Sequence, residues 1–274
     1  MTADFTTRVR AVIGERGRLC VGIDPHPALL EGWGLDDDAD GVRAFTETVV
    51  EAIGHRVALV KPQVAFYERH GSAGVAVLED AIVALRAAGA LVVADAKRGD
   101  IGTTMAAYAH TWLNDASPLC SDAMTASPYL GVGALEPAVS LADETGRGVF
   151  VLARTSNSEG ATLQTAVTAD GRTVAQAVVD DAAAHNARGP AAVGLVVGAT
   201  REHGLDLHAL GGPILAPGLG AQGATAPDLA RVFAGTTELL LPSASRQVLA
   251  AGPDRSAVAA AADALRDEVE SALR

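Results

Sequence analysis

Residues 91–100 read LVVADAKRGD, an aliphatic run that ends in four charges within six residues. A strand covered on both faces reads as a nearly continuous apolar stretch rather than as strict alternation. Leu91–Ala94 fits that description, and so do GVFVLAR (148–154) and VGLVVG (193–198). Working outward, eight such runs emerge: Arg18–Asp24, Val57–Gln63, Leu91–Lys97, Ala123–Ser127, Gly148–Arg154, Ala191–Gly198, Pro213–Gly218 and Glu238–Ser243. Helix patterns separate several of them. Ser72–Ala88 places Val75, Leu78, Ile82 and Leu85 on one stripe, with Gly89 as its stop. Ile101–Asn114, Gly171–Ala187, Thr225–Ala234 and Asp254–Leu273 read similarly, and Thr225 and Asp254 are N-cap candidates.

Runs of strand and helix in alternation predict parallel βα units. Eight of them in roughly 250 residues is the size of a closed (β/α)8 TIM barrel, whereas a doubly wound sheet carries fewer strands. The chain has 274 residues and no shift in composition divides it, so one α/β barrel domain over residues 1–274 is expected. Aromatics make up 4%, so the core must be aliphatic. No apolar run approaches the ~18 residues needed to cross a bilayer. Met1–Arg10 has no apolar segment of the secretory kind, and a cytoplasmic location is expected. The acidic tract Asp36, Asp37, Asp38 and Asp40 reads as a solvated loop.

A formal net charge of −12 argues against long-range attraction to nucleic acid or an anionic membrane, so an anionic ligand must be caught by a local site. Cys20 and Cys120 show no metal spacing and are expected to be buried thiols. The seven histidines form neither HxH nor HExxH, and no metal site is expected.

In a barrel the site lies at the C-terminal ends of the strands, which selects the polar residues that close the runs. The two-residue strand period puts Asp95 and Lys97 on one face. Asp100 follows, either turned back toward the site, directed at a neighbouring subunit, or capping the helix near Ile101. A lysine between two carboxylates is held charged. Asp24 in VGIDPHP and Lys61 in VKPQ end the first two runs. Asp24 also suits a turn before proline, and Lys61, in the apolar context VALV, needs an anionic partner. Late in the chain, the loop APGLGAQG (216–223) with Gln222, and Arg246 after SAS, bring backbone N–H groups, an amide and a guanidinium to the place where barrels bind phosphate.

DAKRGDIGTT (95–104) resembles the Asp-x-Lys-x-x-Asp motif of the orotidine 5'-phosphate decarboxylase family, in its longer bacterial branch, and the likeness spans essentially the whole chain. The resemblance implies cofactor-free decarboxylation of orotidine 5'-monophosphate to UMP, the last step of de novo UMP synthesis, with no metal. Lys97 would be the proton donor and Asp95 its neighbour beside the substrate carboxylate. Asp100, with Thr104, would reach the partner subunit's site in a homodimer. Asp24 and Lys61 would hold ribose hydroxyls, Gln222 and Arg246 the phosphate, and Ser127 in TASPYLG would lie near the pyrimidine. The chain departs from the branch pattern at Ser127, where Asn precedes PYLG. It departs again in PSASR (242–246), where Pro242 and Ala244 replace Asn and Ser. The segment RTSNSEGATLQ (154–164) resembles a loop of the long branch and is given no role. Two other readings compete on the same barrel: a sugar-phosphate enzyme using Mg2+, which the charge of Lys61 opposes, and a noncatalytic UMP-binding protein, which the intact Lys97 with its flanking carboxylates argues against.

Overall fold

A computed structural model describes residues 3–220 and 223–274. Eight parallel strands close into a barrel in sequence order: β1 Cys20–Ile23, β2 Leu59–Pro62, β3 Leu91–Arg98, β4 Ala123–Ala126, β5 Gly148–Arg154, β6 Val193–Val197, β7 Ile214–Pro217 and β8 Leu240–Ala244. β8 returns to β1 through Cys20–Ser243 and Val21–Ala244, so no edge is left open. This is the expected (β/α)8 TIM barrel. Most strands are shorter than the apolar runs that announced them, because pairing stops where the run ends diverge from the neighbouring ladder. Arg18, Leu19 and Asp24 lie outside β1, and Val57, Ala58 and Gln63 outside β2. The five expected helices form within a few residues of their expected bounds. Thr225 caps its helix with a reciprocal bond from Asp228, and Asp254 accepts from the Ala257 N–H. Ala88 ends the helix Gly71–Ala87, and Gly89 takes the left-handed conformation just beyond it. The connection from β6 to β7 carries no helix.

The acidic tract is not merely a loop: Asp38 caps the helix Ala39–Ile53 by accepting from the Gly41 N–H, Asp40 sits in its first turn, and Asp37 pairs with Arg69. Anionic groups at a helix N-terminus complement its exposed N–H groups and dipole, and that helix buries Val42, Phe45, Val49 and Ile53 against the barrel. Near the N-terminus, Asp4 likewise caps a helix, Phe5–Arg16.

That N-terminal helix closes one end of the barrel. Phe5 is fully buried and meets Phe150 edge to face at 5.8 Å between ring centroids. Both rings join Val9, Leu59, Val93, Val196 and Leu241 in the cluster that fills the interior. Glycine makes room for them. A Cβ on Gly148 would lie 2.3 Å from the Phe5 ring, and one on Gly194 2.6 Å from Phe150. Arg8 secures the helix through an ion pair with Asp122 and a 2.9 Å hydrogen bond to the Gly146 carbonyl. A separate, larger cluster lies between the strands and the surrounding helices. No helix among the described residues is long and apolar enough to cross a membrane.

Phe5→Ala is expected to lower unfolding stability by about 3–5 kcal/mol, the usual cost of emptying a buried aromatic site. Gly148→Ala is expected to cost about 1–3 kcal/mol through overpacking. Urea denaturation of each variant against the parent protein checks both.

Candidate active site

Strand alternation turns the barrel interior from aliphatic to charged within two steps. Along β2 the inward positions are Leu59 and Lys61, with Gln63 just beyond the strand; along β3, Leu91, Val93, Asp95 and Lys97; along β4, Ala123 and Thr125; along β8, Leu241 and Ser243, with Ser245 just beyond. Above the aliphatic floor lies a cavity of about 320 Å³, lined by Asp24, Lys61, Gln63, Asp95, Lys97 and Thr125 on one side. Leu152, Val196, Leu215 and Pro217 supply an apolar wall, and Thr155, Ser156, Asn157, Gly218, Ser245 and Arg246 stand around the mouth.

Asp95 is the hub of the cavity. Its Oδ2 accepts from Lys61 Nζ at 2.8 Å, and its Oδ1 accepts from Lys97 Nζ at 2.6 Å and from Thr125 Oγ1 at 2.9 Å. The Lys61 and Asp95 side chains are 10% and 7% exposed, whereas that of Lys97 is 46% exposed. Burial alone would push the Asp95 carboxyl up, but the two ammonium groups overcome it and hold the carboxyl well below the usual carboxylate range. Burial likewise works against charge on Lys61, yet Asp95 and Asp24 hold its ammonium well above the usual lysine range. The lysine set between two carboxylates is therefore Lys61. The expected Asp95–Lys97–Asp100 arrangement does not form within one chain: Asp100 accepts from the Ile101 N–H and lies outside the cavity lining. Beneath the site, burial pushes the Cys20 thiol up to about 12. Cys20 and Cys120 are both free and buried.

Lys97 reaches Asp95 by an irregular route. The β3–β4 register shifts between Ala94 and Arg98, and Lys97 takes φ +46°, the one non-glycine residue with positive φ among the described residues. A left-handed lysine costs on the order of 1–3 kcal/mol and persists only where its surroundings over-determine it. The kink leaves Arg98 directed outward, paired with Glu68 and stacked 5.6 Å from the Tyr108 ring centre.

Asp24 and Ser245 face each other across Gly22, and Asp24 Oδ1 and Ser245 Oγ are buried without hydrogen-bond partners. Arg246 is exposed at the mouth and makes no ion pair among the described residues. Gln222 lies outside the described residues. Thr104 is exposed, and neither it nor Ser127 lines the cavity. The structure thus gathers Asp24, Lys61, Asp95, Lys97 and Arg246, and leaves Asp100, Thr104 and Ser127 on the rim. Gln63, Thr125 and the segment Thr155–Asn157 were missed as cavity residues. Gln63 and Thr125 were within reach of sequence reasoning, being inward positions two residues from Lys61 and Ala123. The 155–157 segment gave no such signal, because it is a loop folded back over the mouth.

Comparison with known proteins gives the family. The family model described as "Orotidine 5'-phosphate decarboxylase / HUMPS family" matches residues 17–261. The chain belongs to this family. A relative named orotidine 5'-phosphate decarboxylase from Salinispora tropica is 60% identical over 272 residues, covering 98% of each chain. One of the same name from Streptomyces coelicolor is 55% identical over 273 residues, again covering 98% of each. A crystal structure from Streptomyces avermitilis, 53% identical, superposes with a TM-score of 0.96 over 99% of this chain and 96% of that one.

The Asp95 pairing has a pH signature. With its folded-state carboxyl held below its ordinary 3.8, its stabilising contribution is complete above that value and fades as pH falls through the depressed one. Asp95→Asn strips buried Lys61 of its partner and is expected to cost about 3–5 kcal/mol at pH 7. Denaturant melts at a series of pH values check this: the gap to the parent protein stays constant from pH 7 to 5 and narrows only below about pH 4.

Proposed function

We propose that the protein decarboxylates orotidine 5'-monophosphate to UMP and CO2, the last step of de novo UMP synthesis, with Lys97 as proton donor to C6 and no metal or organic cofactor. The reading rests on one observation above the others: a buried carboxylate held by two ammonium groups that both line the cavity, Lys97 being the more exposed of the two. Breaking the bond from C6 to the carboxylate leaves an electron pair on a ring carbon with no adjacent carbonyl as a simple sink. An ammonium fixed beside that carbon stabilises the developing charge, because it is already oriented when the charge appears. Lys97 Nζ then gives its proton to C6, CO2 departs, and the resulting amine regains a proton from solvent. Lys61 completes the charged array and, through Asp95 Oδ2, keeps that carboxylate ionised and turned toward Lys97.

The remaining roles follow from the polar groups around the cavity. Asp24 Oδ1, an acceptor without a donor, and Lys61 suit ribose hydroxyls. Arg246, uncommitted at the mouth, suits the phosphate, joined in this reading by Gln222. Base recognition is assigned to the hydroxyl and amide groups of Thr155–Asn157, which line the cavity, in preference to Ser127. Binding energy from the remote phosphate supports alignment of the ring. Asp100 and Thr104 are assigned to a second copy's site in a homodimer, which fits their place on a rim where Ile101, Tyr129 and Leu130 are 63%, 75% and 53% exposed. We place this chemistry in the cytoplasm.

Purified protein is expected to convert orotidine 5'-monophosphate to UMP in excess EDTA, followed as loss of substrate ultraviolet absorbance. Lys97→Ala should lower kcat by at least about 10²- to 10³-fold. Absence of turnover by folded parent protein would overturn the reading. Mixing Lys97→Ala with Asp100→Ala should restore activity to roughly a quarter of the sites, since one site of each mixed dimer is intact; no recovery after subunit exchange would show that Asp100 serves its own chain.

A further inference from the structure

We infer that Thr125 is a positioning residue that fixes the orientation of Lys97 from two directions. For its effect on turnover the inference rests on the decarboxylase reading; for its existence it rests on geometry alone. In β3 the odd-numbered groups face β2, as the Leu91 N–H donates to the Ala58 carbonyl, and the even-numbered groups face β4, as the Val92 carbonyl accepts from the Asp122 N–H. A regular ladder would therefore turn the Lys97 N–H toward β2. The shifted register between Ala94 and Arg98 breaks that alternation, and pairing with β4 resumes where the Ser127 N–H donates to the Arg98 carbonyl at 2.8 Å. Within the shift the Lys97 N–H meets β4 instead, where the Thr125 hydroxyl accepts from it at 2.9 Å. Its own proton goes to Asp95 Oδ1 at 2.9 Å, the oxygen that also receives Lys97 Nζ at 2.6 Å.

A ring results. The backbone of Lys97 binds Thr125, Thr125 binds Asp95, and Asp95 binds the side chain of the same lysine. Each polar group in it is a committed donor or acceptor, and Thr125 is fully buried, so water does not readily replace the hydroxyl. The ring helps to hold a lysine in left-handed backbone space at the end of a strand, because in that conformation its N–H has the Thr125 hydroxyl as acceptor. It also ties the direction of the ammonium to the backbone kink, so that the proton donor is aimed before substrate arrives. Valine has the shape and strand preference of threonine but neither the acceptor nor the donor. Serine keeps both.

The test compares the full-length protein with Thr125→Val and Thr125→Ser. Residue-resolved hydrogen exchange reads the ring without reference to activity, with Val92 as the control amide. The Lys97 amide should exchange slowly in the parent and in Thr125→Ser, and at least about 10-fold faster in Thr125→Val, while Val92 is unchanged. In steady-state assays Thr125→Val should lower kcat for orotidine 5'-monophosphate by about 10- to 100-fold, as loss of a hydrogen bond to a charged group implies. KM should change far less, and Thr125→Ser should restore most of the rate. Slow Lys97 exchange in Thr125→Val, an unchanged kcat, or equal impairment of both variants would overturn the inference. Failure of the parent protein to turn over this substrate would overturn the decarboxylase reading instead, and the exchange comparison would still decide whether Thr125 holds Lys97.

Discussion

A carboxylate in a low-dielectric interior is stable as an anion only when donors surround it, and the cavity is organised around meeting that demand for Asp95. Lys61 takes one oxygen, and Lys97 and Thr125 share the other. Each donor comes from a different place: β2, the kinked end of β3 itself, and β4. The relative positions of three neighbouring strands are thereby tied to one anion, and the anion's charge in turn holds Lys61 protonated. Removing any one member leaves the others paired worse than before, which is why such an arrangement resists piecemeal change.

The barrel makes this possible by separating its two tasks along its axis. Inward side chains near the N-terminal end are aliphatic or aromatic and close-packed, with Gly148 and Gly194 admitting the two phenylalanine rings. Two residues further along each strand, the same inward face becomes Lys61, Asp95, Thr125 and Ser243. The packed layer supplies the stability that the charged layer costs, and it supplies the rigidity that keeps the lysines where they are aimed. Family membership and the geometry agree here: relatives with the same name match over nearly the whole chain, so the barrel and its mouth are compared as one piece.

The strands were legible because burial on both faces leaves a plain record, an unbroken aliphatic run with charge at its end. LVVADAK carried both the strand and the centre of the site. Helices with clear stripes, such as Gly71–Ala87, were legible as well. Ala39–Ile53 was not, although Val42, Phe45, Val49 and Ile53 mark its inner face, because the aspartates before it look like a solvated tract and are in fact its cap and first turn. Period-two reasoning placed Asp95 and Lys97 together correctly but for an incomplete reason, since a register shift and a positive φ intervene. A kink of that kind has no local signature: lysine is not a residue that announces left-handed backbone. The 155–157 segment escaped for a related reason, as its place in the cavity depends on contacts between elements rather than on any pattern within one.

The helix Phe5–Arg16 has a consequence for traffic. With Phe5 and Phe150 stoppering one end of the barrel, the chamber above them is a blind alley whose entrance is also its exit. A nucleotide seated with its phosphate at Arg246 would stand in that doorway, and any small neutral molecule released behind it would have to slip past before the nucleotide itself withdraws. Departure from such a chamber is a queue, and its order is written into the floor plan of the barrel rather than into the affinity of any single group.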